Sequence, residues 1–136
     1  MDSPRSFKHS YGKAYSDVVT QGYAARRLFD ATMRKSIGRS LKMADDGGWL
    51  EVSYFGDEDS TFADRYSLLY LSNDKLNVRT GQLDASGVKK SHDNWVVCDN
   101  VTSCTFKQRG RTIRMVLSLE DEQSSQTVVC SAVMHN

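Results

Sequence analysis

Long apolar runs are absent from this sequence. A helix that crosses a bilayer needs about 18 or more consecutive apolar residues, and no stretch of the 136 residues is that long. The first residues, Met1 to Pro4, look more like an engineered start than a targeting segment, and no signal peptide follows. The sequence as it stands therefore predicts neither a membrane span nor a secretory leader.

The arrangements of a catalytic site are also absent. The three histidines, His9, His92 and His135, are predicted to lie in a tail, a loop and the extreme C-terminus. They form no Ser/His/Asp or Cys/His arrangement of the kind that nucleophilic catalysis requires. We therefore predict that the protein is not an enzyme, and we assign no cofactor.

Metal-binding patterns are equally lacking. The acidic run at residues 57–59 could attract a hard cation, but it has none of the spaced ligands of a calcium loop. The cysteines do not show the paired C-x2-4-C spacing of a zinc site. We interpret the acidic run as a solvated turn and predict no metal site.

Cysteine is scarce, and its number is odd. Cys98, Cys104 and Cys130 allow one disulfide and one free thiol in an oxidising compartment, or three thiols in a reducing one. Cys98 and Cys104 flank a predicted turn and are the candidate disulfide. The competing pair is Cys104 with Cys130.

Charge is plentiful but segregated along the chain. Residues 1–43 hold nine Lys/Arg and three Asp/Glu, residues 44–74 hold one and eight, and the remainder holds eight and six. A basic segment therefore precedes an acidic one. The two could attract each other within one fold, or they could dock neighbouring subunits by charge complementarity.

The N-terminal part of the chain has the apolar periodicity of a helix. Apolar positions spaced by three and four residues predict a helix over residues 11–42, after a disordered tail at 1–10. Such a helix would be about 48 Å long at 1.5 Å per residue, longer than a globule of roughly 30 Å. Its first half should therefore project from the domain, with Tyr11, Tyr15 and Val18 more exposed than Phe29, Ile37 and Leu41.

After Gly47 and Gly48 the period changes to two, which is typical of strands. We predict strands at 49–55, 64–72, 75–80, 95–98, 103–108, 111–119 and 126–134, and an exposed loop at 81–93. Within these strands we expect the following side chains in the core: Trp49, Tyr54, Leu68, Val116, Leu119 and Val128. The predicted fold class is α+β, a single domain over 1–136 in which a long N-terminal helix packs on an antiparallel sheet of about five to six strands.

Three stretches carry a resemblance to a known family. Residues 15–41 resemble the C-terminal part of a pilin helix. Residues 69–76, followed by 96–101 and Phe106, resemble a strand–turn–strand pattern of that group, and residues 111–136 resemble its closing hairpin. The chain is thus similar to the type IV pilin-like superfamily, closest to the minor pilins and to the minor pseudopilins of type II secretion.

The resemblance implies a structural subunit of a type IV pilus or type II secretion pseudopilus, in a tip or initiation complex with other minor subunits. The family's apolar N-terminal segment is not found in residues 1–10. In the full-length protein it would anchor the chain in the inner membrane, with this domain on the periplasmic or extracellular face before fibre assembly.

Subunit contact is expected along the helix. The predicted seam consists of small and aromatic residues with two adjacent arginines: Tyr15, Val18, Gly22, Ala25, Arg26 and Arg27. Gly and Ala let helices approach closely, and Arg would meet acidic surface on the partner. Two alternatives remain open: a β-domain with a helical lid that binds a small molecule or peptide, and a competence-type pilus subunit that captures DNA through residues such as Lys89 and Lys90.

Overall fold

In the described part of the chain, eight strands in two antiparallel sheets follow one helix. The computed structural model describes residues 3–36 and 40–134, with side chains described from Val18 onward except at Ser91. The strand order is β1-β2-β3-β4-β5 in one sheet and β6-β7-β8 in the other. The elements are α1 (Ser3–Lys35), β1 (Lys42–Met43), β2 (Trp49–Tyr54), β3 (Arg65–Ser72), β4 (Lys75–Leu83), β5 (Lys89–Cys98), β6 (Val101–Arg109), β7 (Thr112–Glu120) and β8 (Ser125–Val133).

The core lies where α1 meets the inner faces of both sheets. The helix contacts β8 most extensively, and it also contacts β5, β2 and β7. Its buried side chains are spaced by four and seven residues, from Val18 through Ala25 and Phe29 to Met33. Burying each larger apolar side chain stabilises the fold by about 1.5–3 kcal/mol. The helix therefore acts as the third face of one continuous core.

The strands of the second sheet follow the period of two that their sequence indicates. In β7, Ile113, Met115 and Leu117 are buried, while Arg114 between them is exposed. The predicted core positions Leu119 and Val128 are buried as well. This alternation fixes the register, because a shift by one residue would turn every apolar side chain to solvent.

Two backbone hydrogen bonds join the sheets. The N–H of Phe106 donates to the carbonyl of Gly47 at 2.9 Å, and the N–H of Val101 donates to the carbonyl of Asp74 at 3.0 Å. Gly47 has φ 78°, and a Cβ built there would lie 2.5 Å from the Phe106 carbonyl oxygen. Only glycine fits this close approach of two backbones.

The predicted fold class is wrong. The chain is predominantly β, with two separate sheets of five and three strands rather than a long helix laid on one sheet of five to six. The described side chains of the helix begin at Val18 and contact both sheets. The sequence did not reveal the second sheet because the break between β5 and β6 is only the turn at Asp99 and Asn100.

The predicted helix bounds are also wrong. The helix includes residues 3–10, which were predicted to be a disordered tail, and it ends at Lys35 rather than 42. Residues 37–39 lie outside the described residues. Leu41 and Lys42 lie beyond the end of the helix. Lys42 is in β1 and pairs with Glu51 of β2.

The expected exposure of Val18 is wrong for a related reason. Val18 is 1% exposed, as buried as Phe29. The next turn of the helix packs on both sheets, because the Gln21 carbonyl accepts a hydrogen bond from Cys98 of β5 and Gly22 lies against Val128 of β8. The side chains of Tyr11, Tyr15 and Ile37 lie outside the described ones.

In β2 and β3, Trp49 and Leu68, which were predicted to be in the core, lie on the outer face of the sheet. Trp49 is 38% exposed and Leu68 is half-buried, whereas Leu50 and Leu69 fill the core. Both faces of β3 carry large apolar side chains, so the alternation of the sequence does not show which face is buried. Two further expected core residues are half-buried, Tyr54 and Val116.

The predicted loop at 81–93 is mostly strand. The β4–β5 hairpin continues to Leu83 paired with Lys89 and is closed by a short turn. The Asp84 carboxylate accepts the N–H groups of Val88 and Ser86, each at 2.9 Å. These bonds, that of Val88 above all, lower the pKa of Asp84. Exposed hairpins carry no apolar period, so the sequence shows only a polar stretch.

Candidate interaction surface

The apolar part of the predicted seam is occupied within the chain itself. Val18, Gly22 and Ala25 are buried. A Cβ built on Gly22 would lie 3.0 Å from Val128 Cγ2, so the glycine allows α1 to pack closely on β8 of the same chain. The side chain of Tyr15 lies outside the described ones. The role of these residues in subunit contact stays a prediction, and here their surface faces the protein's own core.

The two arginines of the predicted seam are on the solvent side of the helix. Arg26 and Arg27 are exposed. Nη1 of Arg26 donates to the carbonyl of Val129 at 3.4 Å, at the open edge of β8. A long, exposed hydrogen bond of this kind contributes little to stability. Both guanidinium groups therefore remain accessible to a partner.

A second helical stripe, which the sequence analysis missed, lies next to these arginines. Tyr23, Arg27, Asp30 and Arg34 recur at steps of four, three and four, which places them on one helix face. All four are exposed, and Tyr23 is 65% exposed. We name these four residues with Arg26 the helix stripe. Its spacing was readable in the sequence, but a largely polar stripe looks like solvated charge.

A shallow groove borders the helix stripe on the β8 side. Its volume is about 250 Å³. Its apolar floor is formed by Met33, Ala132 and Val133, and Asp30 and Arg34 form its rim. An exposed aromatic ring, charges of both signs and an apolar groove are the ingredients of a protein–protein contact.

The cysteines are buried and free. All three are thiols in the structure, so the pairing of Cys98 with Cys104 stays a prediction for oxidised protein. The Sγ of Cys98 donates to the carbonyl of Gln21 at 3.3 Å. Burial raises the pKa of Cys98 to about 11 and that of Cys104 to about 12. Thiols held protonated in this way are poor nucleophiles.

The outer face of the five-stranded sheet bears on the small-molecule alternative. It holds an open groove of about 310 Å³ whose lining includes Trp49, Tyr70, Arg79 and Lys89. Lys89 pairs with the buried carboxylate of Glu51 at 2.5 Å. The polar groups of this groove thus satisfy one another.

Neighbouring contacts on the same face follow the same pattern. The Tyr70 hydroxyl donates to Asn94 Oδ1 at 2.6 Å, and Arg79 lies 5.5 Å from the Tyr70 ring centre. Few polar groups are left to orient a ligand, as a small-molecule site would require. The pairing of Lys89 also removes one of the two lysines expected to contact DNA.

His92 is exposed on β5 and lines an open groove with Tyr54 and Arg65, the strand ends that the loop with the acidic run connects. Among the described residues, no group of three or more His, Cys, Asp or Glu side chains is placed to hold a metal ion. The described helix is also not apolar enough to cross a membrane.

No protein-family model matches the chain, and no curated protein sequence matches it.

Proposed function

We propose that this protein is a structural subunit of a type IV pilus or of a type II secretion pseudopilus, and that it joins other subunits through the helix stripe. In this role it is a minor subunit of a tip or initiation complex and performs no catalysis. In the full-length protein, an apolar N-terminal segment would anchor it in the inner membrane, with this domain on the periplasmic or extracellular face.

The exposed Tyr23 beside Arg26 and Arg27 carries this proposal. Tyr23 is 65% exposed near the centre of the helix, so a partner could bury a large amphipathic ring there. Tyrosine and arginine are the residue types enriched at interface hot spots. The similarity of residues 15–41 to a pilin helix supports the same face, since that stretch contains the stripe.

The test is charge reversal in the full-length protein. We expect the double variant Arg26→Glu, Arg27→Glu to reduce fibre assembly or secretion by about tenfold or more, because a rim of like charge repels the partner. The melting temperature of the isolated domain should stay unchanged, because both side chains are exposed. Lys90→Glu is the matched control: it also reverses an exposed charge, on β5.

One outcome contradicts the proposal, and a second removes this variant as support for it. Normal assembly of the double variant means that this helix face is not the interface. A lower melting temperature means that the arginines stabilise the fold, and the loss of assembly would then have no bearing on contact.

A further inference from the structure

An unusual pair of like charges faces solvent on the three-stranded sheet. Lys107 in β6 lies directly opposite Arg114 in β7, and both are exposed. Like charges at directly opposed positions destabilise a sheet. A fold that retains such a pair is explained more readily by an anionic partner than by stability.

The surroundings of the pair offer no compensation. Arg109 lies two positions further along β6 on the same face. Within the part of the chain that the structure describes, no carboxylate pairs with Lys107, Arg109 or Arg114. The acidic residues of β7 begin only at Glu120, six positions beyond Arg114. These three cations border an open groove of about 480 Å³, with Gln108 and Thr112 between them.

Aliphatic surface continues this face. Val116 and Val129 are opposed across β7 and β8, and Val129 is exposed. We name the three cations and these two valines the basic sheet face. The face has no aromatic side chain on which a nucleic acid base could stack. Its chemistry fits a partner surface that is acidic and apolar at once.

The chain itself carries such a surface. The loop between β2 and β3 exposes Asp57, Glu58 and Asp59, and it is bracketed by Phe55 and Phe62. These two phenyl rings are 49% and 38% exposed, although phenylalanine is normally buried. We name these five residues the acidic loop.

Among the described residues, no ion pair joins the acidic loop to the basic sheet face of its own chain. Gly47, two residues before β2, contacts Phe106, the neighbour of Lys107. The acidic loop begins after the far end of β2, whose six residues span about 20 Å at the rise of a strand. The two surfaces are thus exposed at separate places on one molecule.

We propose that the acidic loop of one copy docks on the basic sheet face of a second copy. Carboxylates would meet Lys107, Arg109 and Arg114, and the phenyl rings would meet the two valines and the lysine and arginine stems. The contact joins different surfaces, so it is heterologous and repeats from copy to copy. It involves none of the helix stripe and does not depend on the function proposed above.

The first experiment measures self-association of the purified chain by sedimentation equilibrium. We expect association at low salt that is lost at about 1 M salt, where the Debye length falls to about 3 Å. Glu58→Lys with Asp59→Lys should weaken it by about tenfold or more. Asp57 is left in place, because its Oδ1 accepts the Asp59 N–H at 2.8 Å and shapes the loop.

A double reversal keeps the net charge constant. Adding Lys107→Glu and Arg114→Glu to the acidic-loop variant restores the wild-type total, because four charge units are lost and four are gained. We expect self-association to return, since both halves of the contact have exchanged sign. A chain that stays monomeric in this variant, while it remains folded by circular dichroism, overturns the proposal.

A single substitution separates contact from stability. Lys107→Glu places a carboxylate opposite Arg114 and replaces repulsion with attraction. We expect a higher melting temperature together with weaker self-association. The proposal is overturned if the wild-type chain is monomeric at low salt, whether or not its basic sheet face then binds heparin or duplex DNA.

Discussion

At the scale of single residues, neighbouring leucines of β3 decide which face of the first sheet is buried. Leu69 is fully buried and Leu68 is half-buried on the opposite face. We expect Leu69→Ala to lower the free energy of unfolding by about 2–5 kcal/mol, because it leaves a cavity. Leu68→Ala should cost less than half as much. Urea denaturation of the two variants measures both values, and a larger loss at Leu68 would mean that the strand faces the other way.

Cys104 provides a second test at this scale. Its pKa is raised from 9.0 to about 12 by burial, with the neighbouring Cys98 and Cys130 thiols adding to the effect. Above pH 9 the unfolded state therefore releases a proton that the folded state keeps, so stability falls as pH rises. The stabilisation is complete below pH 9 and is lost as pH approaches 12.

The corresponding measurement compares the wild type with Cys104→Ala. Between about pH 8 and about pH 10, the wild type should lose about 1 kcal/mol more stability than the variant, whose residue 104 does not titrate. Equal losses in the two proteins would show that the thiol titrates normally in the folded state. Urea denaturation at each pH, under reducing conditions, provides the values.

At the scale of elements, one of the backbone contacts between the two sheets requires a glycine. Gly47 and Gly110 both have positive φ, 78° and 60°, but only Gly47 is crowded by a neighbouring backbone. Gly110→Ala should cost about 1–2 kcal/mol, the penalty for a side chain in the left-handed region. Gly47→Ala adds the contact with the Phe106 carbonyl oxygen and should cost clearly more.

The two alanine variants can be compared by thermal denaturation. Both variants place a side chain in the left-handed region. The difference between their losses of stability therefore measures the cost of the close contact between the sheets at Gly47. Equal costs would mean that the Gly47 turn can move away from β6, and that the hydrogen bond from the Phe106 N–H is not essential to the fold.

The helix shows how far the sequence could predict an element. The spacing of Val18, Ala25 and Phe29 placed them on one helix face, because a helix with one apolar side produces a clear period, but Val18 was wrongly expected to be exposed. The partner of that face was not predictable. Nothing local to Val18 distinguishes the chain's own β8 from another subunit, and the seam was therefore placed between subunits.

Strand pairing was harder to predict from the sequence than the helix. The bounds of β2 and β3 were close to those predicted, but the division into two sheets was not foreseen. Sheet membership depends on hydrogen bonds between distant residues, such as Phe106 and Gly47, which leave no local pattern. The like-charge pair of Lys107 and Arg114 was hidden for the same reason, since it becomes visible only with the register.

At the scale of the whole molecule, the structure shows a filled core, and we propose that parts of its exposed surface contact other chains. In the groove of the five-stranded sheet, Lys89 forms an ion pair with Glu51, and the three cysteine thiols are buried. Among the described residues, the helix stripe and the basic sheet face carry exposed charged side chains that form no ion pair. Assembly is therefore the activity that the exposed chemistry favours.

Photo-crosslinking at Tyr23 tests this central claim most directly. A photoreactive phenylalanine analogue replaces Tyr23 in the full-length protein in its own cells, and Ser86, exposed in the β4–β5 turn, is the control position. We predict a covalent adduct between position 23 and another fibre subunit, and none from position 86. Assembled protein that gives no adduct at position 23 would contradict the account.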